Sequence, residues 1–307
     1  MLILKLVILC LVRSGLTSFE RFLCGVIFLE FITGNSNERI KNIVNLVKDK
    51  KTRQKQGLFV IEGLKIILEA KKTNIKIKTI LLTEKFFKKN KSRLKNILDN
   101  TLEIIIITEN ISKKISSNVT PQEVFAVCQI PETKLLDHVL DKKNINNINN
   151  ILMILNLQDI GNFGTIIRTA NALGIDCILI SSDCPDIYSP KVLRATMGAI
   201  FNINIIKINN NTDDIKKIIK SFKDKNFMAV ASAVADDCKN INQISFLNKN
   251  LIIVGNEGNG LDREIIKICD ESVKIPMIKE ADSLNVAVAS GILIWELVSK
   301  TNKLYLK

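Results

Sequence analysis

The chain has 307 residues, of which 47% are hydrophobic and 24% are charged. This length and apolar content suit one or two domains with buried cores and exclude a wholly disordered or fibrous chain. The seven cysteines form no CxxC pair and the one histidine is His138, which argues against a zinc site, a Cys/His nucleophile pair and a Ser-His-Asp triad.

The net charge of +13 is concentrated in one part of the chain. Residues 36–150 hold 23 Lys and Arg against 12 Asp and Glu, whereas residues 151–307 hold 18 against 17. A basic block beside a nearly neutral one predicts that the first binds a polyanion and that the second has another role. The alternative is a composition rich in Lys and Asn, with solvated lysine faces.

Residues 1–31 differ from the rest of the chain. They contain two apolar runs, one interrupted by Lys5 and one by Glu30, and neither reaches the roughly 20 apolar residues of a membrane span. A basic start and a cleavage site typical of a signal peptide are also missing. We interpret residues 1–31 as an extension of a domain that begins near Ile32, with a peripheral membrane-associating segment as the alternative, and we expect a cytoplasmic protein without stable membrane association.

Residues 32–130 are predicted to form a small α/β unit. Apolar residues from Ile40 to Val47 recur at helical spacing, a helix follows at 64–70, and strands are predicted at 59–62, 80–82, 104–107 and 120–127. The first helix is followed by five basic residues that we take as candidate RNA contacts: Lys48, Lys50, Lys51, Arg53 and Lys55. The polar, Asn-rich segment 131–150 is predicted to be a linker with some helix at its start.

Residues 151–307 alternate between strand and helix patterns, which predicts a mostly parallel sheet covered on both faces. Asn162, Thr212 and Ser283 are predicted helix caps, and Pro190 is predicted to start a helix. The last helix, from Ser283 to about residue 298, is apolar nearly all round. It must be buried on more than one side, which makes it a candidate subunit interface.

Polar residues cluster in three segments of this second half. Segment 156–171 places two glycines and two amides where a strand ends and a helix begins, a position at which open α/β sheets bind ligands. Arg168 lies in the apolar part of that helix and is either a ligand-facing side chain or a snorkelling surface arginine. Segment 254–261 has glycines spaced GxxGxG around Glu257, which is neither a dinucleotide fingerprint nor a phosphate loop and by itself is equally consistent with a turn. In the third segment, Asn285 follows Ser283 near a helix N-terminus.

Five ordered motifs in this second half resemble the SpoU family, also called TrmH, of RNA 2′-O-ribose methyltransferases. They are NxxDxGNxGTIIRTA at 156–170, YSPKVLRATMGAIF at 188–201, GNEGNGL at 255–261, IPM at 275–277 and SLNVAVA at 283–289. GLFVIEG at 57–63 and TPQEVFAV at 120–127 resemble the substrate-binding domain of that family. The departures are Ile160 in place of a common proline, Phe163 in place of a common leucine, and the unmatched first 31 residues.

The resemblance implies an α/β fold whose C-terminal domain, residues 151–307, is a trefoil-knotted methyltransferase preceded by a ribosomal-protein-like RNA-binding domain. It also implies a homodimer formed through the last helix and S-adenosylmethionine as cofactor, with no metal. By resemblance, Arg168 holds a phosphate and favours the developing alkoxide, while Asn162, Glu257 and Asn285 orient the ribose and assist proton loss. The implied cofactor-binding residues are Val254, Gly255, Asn256, Gly260, Ile275, Met277, Ser283, Leu284 and Ala289.

Two other classes of function remain open on the sequence. A non-catalytic RNA-binding protein would account for the basic half, but it leaves the three polar segments of the neutral half unexplained. A nucleotide-dependent oxidoreductase would account for the parallel sheet, yet the glycine fingerprint and the acidic residue that would hold a ribose are missing. Structured RNA is the expected substrate, with ribosomal RNA favoured over transfer RNA.

Overall fold

The computed structural model describes residues 28–73, 75–94, 97, 103–132, 136–233, 238–278 and 283–301. The chain forms two compact units that divide between Pro131 and Glu132. Over the described ranges, no helix is both long enough and apolar enough to cross a membrane.

The first unit is a five-stranded sheet with helices. Its strands are β1 Phe28–Ile32, β2 Leu58–Glu62, β3 Ile77–Thr83, β4 Glu103–Ile107 and β5 Val124–Gln129, and its helices are α1 Glu38–Lys48, α2 Lys50–Gln56, α3 Leu64–Lys71, α4 Glu84–Leu94 and α5 Glu109–Ile115. The strand order is β1-β4-β3-β5-β2, in which β4 is parallel to β1 and β3 while β5 is antiparallel to β3 and β2. Each strand predicted in this half overlaps an observed one.

Strand β1 lies in the segment that we interpreted as an extension. It pairs with β4 along its whole length, so the domain begins at least four residues before Ile32, and residues 1–27 lie outside the described part of the chain. Arg39 of α1 forms ion pairs with Glu30 of β1 and Glu103 of β4. Burial raises the pKa of Glu103, but hydrogen bonds from Arg39 and Thr79 outweigh it and hold that pKa below its ordinary value.

The second unit is built around a seven-stranded sheet. Its strands are β6 Asn150–Ile154, β7 Cys177–Ser181, β8 Asn204–Ile208, β9 Met228–Ser232, β10 Lys239–Asn240, β11 Asn250–Val254 and β12 Glu271–Lys274, and its helices are α6 Leu136–Leu140, α7 Lys142–Ile145, α8 Ile160–Ala172, α9 Pro190–Thr196, α10 Thr212–Lys223, α11 Arg263–Ile268 and α12 Val286–Lys300. All neighbours in the order β10-β12-β9-β11-β6-β7-β8 are parallel. The predicted parallel sheet is confirmed.

The sheet is covered on both faces, as expected from its continuously apolar strands. Leu152 and Ile154 of β6 belong to one buried apolar cluster, while Ile151 and Met153 belong to another. Because side chains alternate along a strand, the two clusters occupy opposite faces. The second cluster also contains Val139, Ile145 and Ile148, so this stretch of the predicted linker is part of the core of the second unit.

Three of the predicted helix caps are wrong by one to three residues. Helix α8 is capped by Asp159, whose Oδ1 accepts a hydrogen bond from the Asn162 backbone N–H at 2.6 Å. Helix α12 is capped by Asn285 in place of Ser283, and α10 by Asn211 in place of Thr212. Asp and Asn are strong caps, and a sequence with several candidates in a row does not show which one lies at the helix boundary. Pro190 does begin α9, after the cap Ser189.

Candidate active site

The polar segments meet at the carboxyl edge of the second sheet. Strands β11 and β6 are parallel neighbours, so the loop that follows β11 and the segment that follows β6 leave the sheet at the same edge. Helix α8 begins there with Ile160. This is the position at which open α/β sheets bind their ligands.

Three of the four predicted catalytic side chains contact one another. The Asn162 Nδ2 donates to Glu257 Oε1 at 3.2 Å, and the Asn285 Nδ2 donates to Asn162 Oδ1 at 2.9 Å. We call Asn162, Glu257 and Asn285 the polar triad. It joins three segments that are well separated in sequence; Glu257 and Asn285 are exposed and Asn162 is half-buried.

The N-termini of two helices converge on the triad. Asn162, in the first turn of α8, contacts Asn285, the cap of α12. Further along the two helices, a Cβ atom added at Gly291 of α12 would lie 3.8 Å from the Thr169 side chain of α8. The two helices therefore run side by side in the same direction. A helix N-terminus carries a partial positive charge, and two such termini lie beside the triad. The triad thus holds a carboxylate acceptor in a defined orientation.

Arg168, the fourth predicted catalytic residue, does not contact the triad. It is exposed on α8, and six residues of helix after Asn162 place it about 120° around the axis. Over the residues that the structure describes, its guanidinium group has neither a hydrogen bond nor an ion pair. It is therefore free to bind a group from outside the chain.

The glycine loop after β11 is closed on itself. The backbone groups of Asn256 and Gly260 exchange hydrogen bonds of 3.2 and 3.0 Å, and Gly260 has a φ of +66°. Gly255 is buried, and a Cβ atom there would lie 2.4 Å from the Gly260 carbonyl oxygen. A side chain at position 255 is therefore incompatible with this loop.

The remaining predicted cofactor residues line the same edge or lie close to it in sequence. Val254 is buried at the end of β11, while Ile275 and Met277 are half-buried in the segment that follows β12. Ser283 and Leu284 are exposed before α12, and Ala289 is half-buried in its first turns. Residues 279–282 between these two groups lie outside the described ranges.

The structure divides the five predicted RNA contacts into four exposed lysines and one buried arginine. Lys48, Lys50, Lys51 and Lys55 are exposed at the end of α1 and along α2. Arg53 is only 4% exposed, and its Nη1 donates to the carbonyl oxygens of Leu46 and Val47 at 2.7 and 3.1 Å. The prediction that Arg53 contacts RNA is wrong, because its guanidinium group holds the carboxyl end of α1. A run of basic residues in a sequence does not show which of the side chains is buried.

The residues that support the glycine loop through hydrogen bonds were not predicted from the sequence. Asn156 follows β6 with a φ of +57°, and its backbone N–H donates to the hydroxyl group of Ser181 at 2.9 Å. Ser181 in turn hydrogen-bonds Asp183. An Asn just beyond the end of a strand was the available signal for the left-handed residue. Nothing in the sequence indicated its partners on β7 and the following turn.

Comparisons with known proteins agree with this architecture. Residues 149–295 match the SpoU rRNA Methylase family, and residues 37–126 match the MRM3-like substrate binding domain. The chain is 30% identical over 266 residues to the 23S rRNA (guanosine(2553)-2′-O)-methyltransferase RlmP of Bacillus subtilis, an alignment that covers 87% of this chain and 98% of RlmP. This chain belongs to the SpoU methyltransferase family.

Solved structures of the SpoU family extend the likeness to both units. An AdoMet-bound rRNA methyltransferase from Sinorhizobium meliloti is 27% identical, with a TM-score of 0.75 over 91% of this chain and 99% of that one. A structure described as an RNA 2′-O ribose methyltransferase is also 27% identical, with a TM-score of 0.73 over 88% and 98%. The family resemblance read from the motifs is confirmed.

Proposed function

We propose that this SpoU methyltransferase transfers a methyl group from S-adenosylmethionine to a ribose 2′-hydroxyl of ribosomal RNA. The observation that carries the proposal is the polar triad, which holds the Glu257 carboxylate open to solvent at the carboxyl edge of the sheet. The relatives support it, since RlmP acts on a ribose of 23S rRNA and the S. meliloti protein is an AdoMet-bound rRNA methyltransferase. Transfer RNA is the alternative substrate.

The triad is suited to orient a hydroxyl group. Glu257 Oε1 accepts from Asn162, while Oε2 makes no hydrogen bond within the described residues. That free oxygen can accept the 2′-hydroxyl proton as the oxygen becomes a nucleophile. Asn285 fixes Asn162, and its own Oδ1 accepts from the backbone N–H groups of Ala287 and Val288. The carboxylate is therefore held in place before RNA binds.

Arg168 supplies the positive charge in this mechanism. Its guanidinium group is exposed and unpaired over the described residues, so it can bind the phosphate beside the target ribose and stabilise the developing alkoxide. Arg168 and Asn162 lie about 120° apart around the axis of α8. An RNA that contacts both residues would therefore span two faces of this helix.

The carboxyl edge has the groups that S-adenosylmethionine requires. The closely packed Gly255 and Gly260 leave backbone groups without side chains at the end of β11, and Ile275, Met277 and Leu284 offer apolar surface that is partly exposed. Flat apolar contact and backbone hydrogen bonds are what an adenosine group needs. The bound cofactor would supply a methyl group activated by a sulfonium centre.

We assign RNA binding to the first unit, in agreement with its match to a substrate-binding domain. The exposed lysines 48, 50, 51 and 55 form the lysine patch, which would contact phosphates. A trefoil knot in the second unit and a cytoplasmic location are part of the same proposal.

We further propose that the enzyme is a homodimer formed through α12. Three apolar side chains recur at helical spacing along its exposed face, namely Val288, Ile292 and Trp295, which are 52%, 37% and 53% exposed. We call them the α12 stripe. A contiguous apolar stripe of this kind is typical of a protein interface, and a second copy of the chain is the partner that would cover it.

Calorimetry with two ligands tests the class of function. The full chain should bind S-adenosylmethionine and not NAD, and it should then transfer labelled methyl groups to ribosomal RNA taken from cells that lack the gene. Binding of NAD instead would indicate an oxidoreductase. RNA binding without any affinity for S-adenosylmethionine would indicate a non-catalytic protein.

A further inference from the structure

Both ends of the Asn256 side-chain amide are engaged within the protein. Its Oδ1 accepts hydrogen bonds from the backbone N–H groups of Gly258 at 2.9 Å and Asn259 at 3.1 Å, which closes the turn around Glu257. Its Nδ2 donates to the carbonyl oxygen of Asn156 at 2.8 Å, which joins this turn to the end of β6. Both lone pairs of Oδ1 and one of the two Nδ2 hydrogens are therefore engaged by the protein's own backbone.

Asn156 is itself fixed from behind. It holds a left-handed backbone conformation, with φ at +57°, which is uncommon for a residue with a side chain. Its N–H donates to the Ser181 Oγ at 2.9 Å, and Ser181, which is 1% exposed, donates to Asp183. The Asn156 side-chain amide also lies against the Asp183 carboxylate.

These contacts form one connected path to the triad. It runs from Asp183 and Ser181 through Asn156 to Asn256, and from the turn that Asn256 closes to Glu257 and Asn162. The path joins the segments that follow strands β6, β7 and β11. The exposed Glu257 is therefore positioned by the turn that Asn256 closes as well as by its hydrogen bond with Asn162.

We propose that Asn256 is a positioning residue that orients Glu257 for proton acceptance, and that Asn156 is its anchor. The inference rests on the proposed function, because it assigns Asn256 a role in methyl transfer other than binding the cofactor through its side chain. Only an amide of this length serves both ends here. Asp has no donor for the Asn156 carbonyl oxygen, and Ser has no second polar atom to reach it.

The substitution Asn256→Asp isolates the link to Asn156. An aspartate retains an acceptor for the N–H groups of Gly258 and Asn259 but places a carboxylate oxygen against the Asn156 carbonyl oxygen. We expect kcat to fall by about 10- to 100-fold, the cost of a misplaced reacting group, with KM for RNA nearly unchanged. Asn259→Asp introduces the same charge three residues away in the same loop, and it should leave kcat within about twofold of the wild type.

A double-mutant cycle separates positioning from a general structural effect. If Asn256 acts through Glu257, Asn256→Asp should slow the single-turnover rate in the wild-type protein but have little further effect in a Glu257→Gln background. Equal losses in both backgrounds would overturn the proposal. A loss of kcat in Asn259→Asp as large as that in Asn256→Asp would overturn it too, since charge alone would then explain the effect.

Amide hydrogen exchange provides a measurement that needs neither cofactor nor RNA. In the full chain, Asn256→Ala should speed exchange at the Gly258 and Asn259 amides by about 10-fold or more, because both lose their acceptor, whereas Asn259→Ala should leave the Gly258 amide protected. Unchanged exchange in Asn256→Ala would overturn the proposal. Faster exchange in a protein that transfers no methyl group to any RNA would support the loop-holding role and contradict the proposed function.

Discussion

Arg168 is the predicted catalytic residue whose role depends most on a bound substrate. Its side chain is exposed and lacks a partner in the described part of the chain, so Arg168→Ala should change the free energy of unfolding by less than about 0.5 kcal/mol. Methyl transfer should fall by about 100-fold, because a charge that stabilises the transition state is lost. Arg263→Ala, at an exposed arginine of α11, is the matched control. Undiminished turnover in Arg168→Ala would remove this residue from the mechanism.

The substitution Gly255→Ala tests the predicted cofactor site. A methyl group there would lie 2.4 Å from the Gly260 carbonyl oxygen, so Gly255→Ala should distort the loop and weaken S-adenosylmethionine binding by about 10-fold or more in calorimetry. Gly258→Ala is the control, because its Cβ would meet nothing closer than the Asn256 Oδ1 at 3.5 Å. Equal affinities for the two variants would mean that the loop does not form the cofactor site.

The position of the site was predictable from the sequence, but which side chains meet there was only partly so. The motifs brought Asn162, Glu257 and Asn285 together correctly, because each follows or begins an element at the same edge of the sheet. Arg53 and the path behind Asn256 were not predictable. Both depend on tertiary contacts, in which a polar side chain reaches backbone groups rather than solvent.

At the scale of elements, α12 combines a buried face with an exposed apolar one. Leu293, Ile294 and Leu297 are buried in the core of the second unit, while the α12 stripe faces solvent. The predicted all-round apolar character of this helix is thus explained by two separate demands, packing within the chain and the interface that we propose. Its N-cap was misplaced by two residues, since Ser283 and Asn285 are both competent caps.

The double variant Val288→Glu, Trp295→Glu tests the dimer. Burying each apolar side chain contributes about 1.5 to 3 kcal/mol, so two glutamates on the α12 stripe should raise the dissociation constant of the dimer by at least about 100-fold. Sedimentation velocity should then show a monomer in place of the dimer. Val119→Glu, at a fully exposed valine of the first unit, should leave the dimer intact. A wild-type chain that sediments as a monomer would contradict the proposed interface.

At the scale of the whole molecule, the uneven charge of the sequence corresponds to a division between the two units. The basic block falls mainly in the first unit and the triad lies in the second. The parallel sheet of the second unit followed from periodicity, because buried parallel strands are continuously apolar, whereas the family fold followed from the resemblance of the motifs. The domain boundaries could not be predicted in this way. Strand β1 has the composition of an extension but pairs with β4, and helices α6 and α7 have the composition of a linker but pack in the core of the second unit.

Neutralising the lysine patch tests this division. Changing its four lysines to glutamine should weaken RNA binding and reduce the slope of log affinity against log salt by about 3, if each lysine releases one counterion from RNA. Affinity for S-adenosylmethionine should stay unchanged. The control removes four exposed lysines of the second unit, namely Lys207, Lys217, Lys220 and Lys267. An equal loss in the control would show that the charge of the first unit is not specific to RNA.

The most direct test of the proposed function is to map 2′-O-methylation at nucleotide resolution in ribosomal and transfer RNA from a strain that lacks the gene. We predict that one ribose of ribosomal RNA loses its methyl group, that the wild-type gene restores it, and that the Arg168→Ala gene does not. Ribosomal and transfer RNA with unchanged 2′-O-methylation in the strain that lacks the gene would contradict the proposed function.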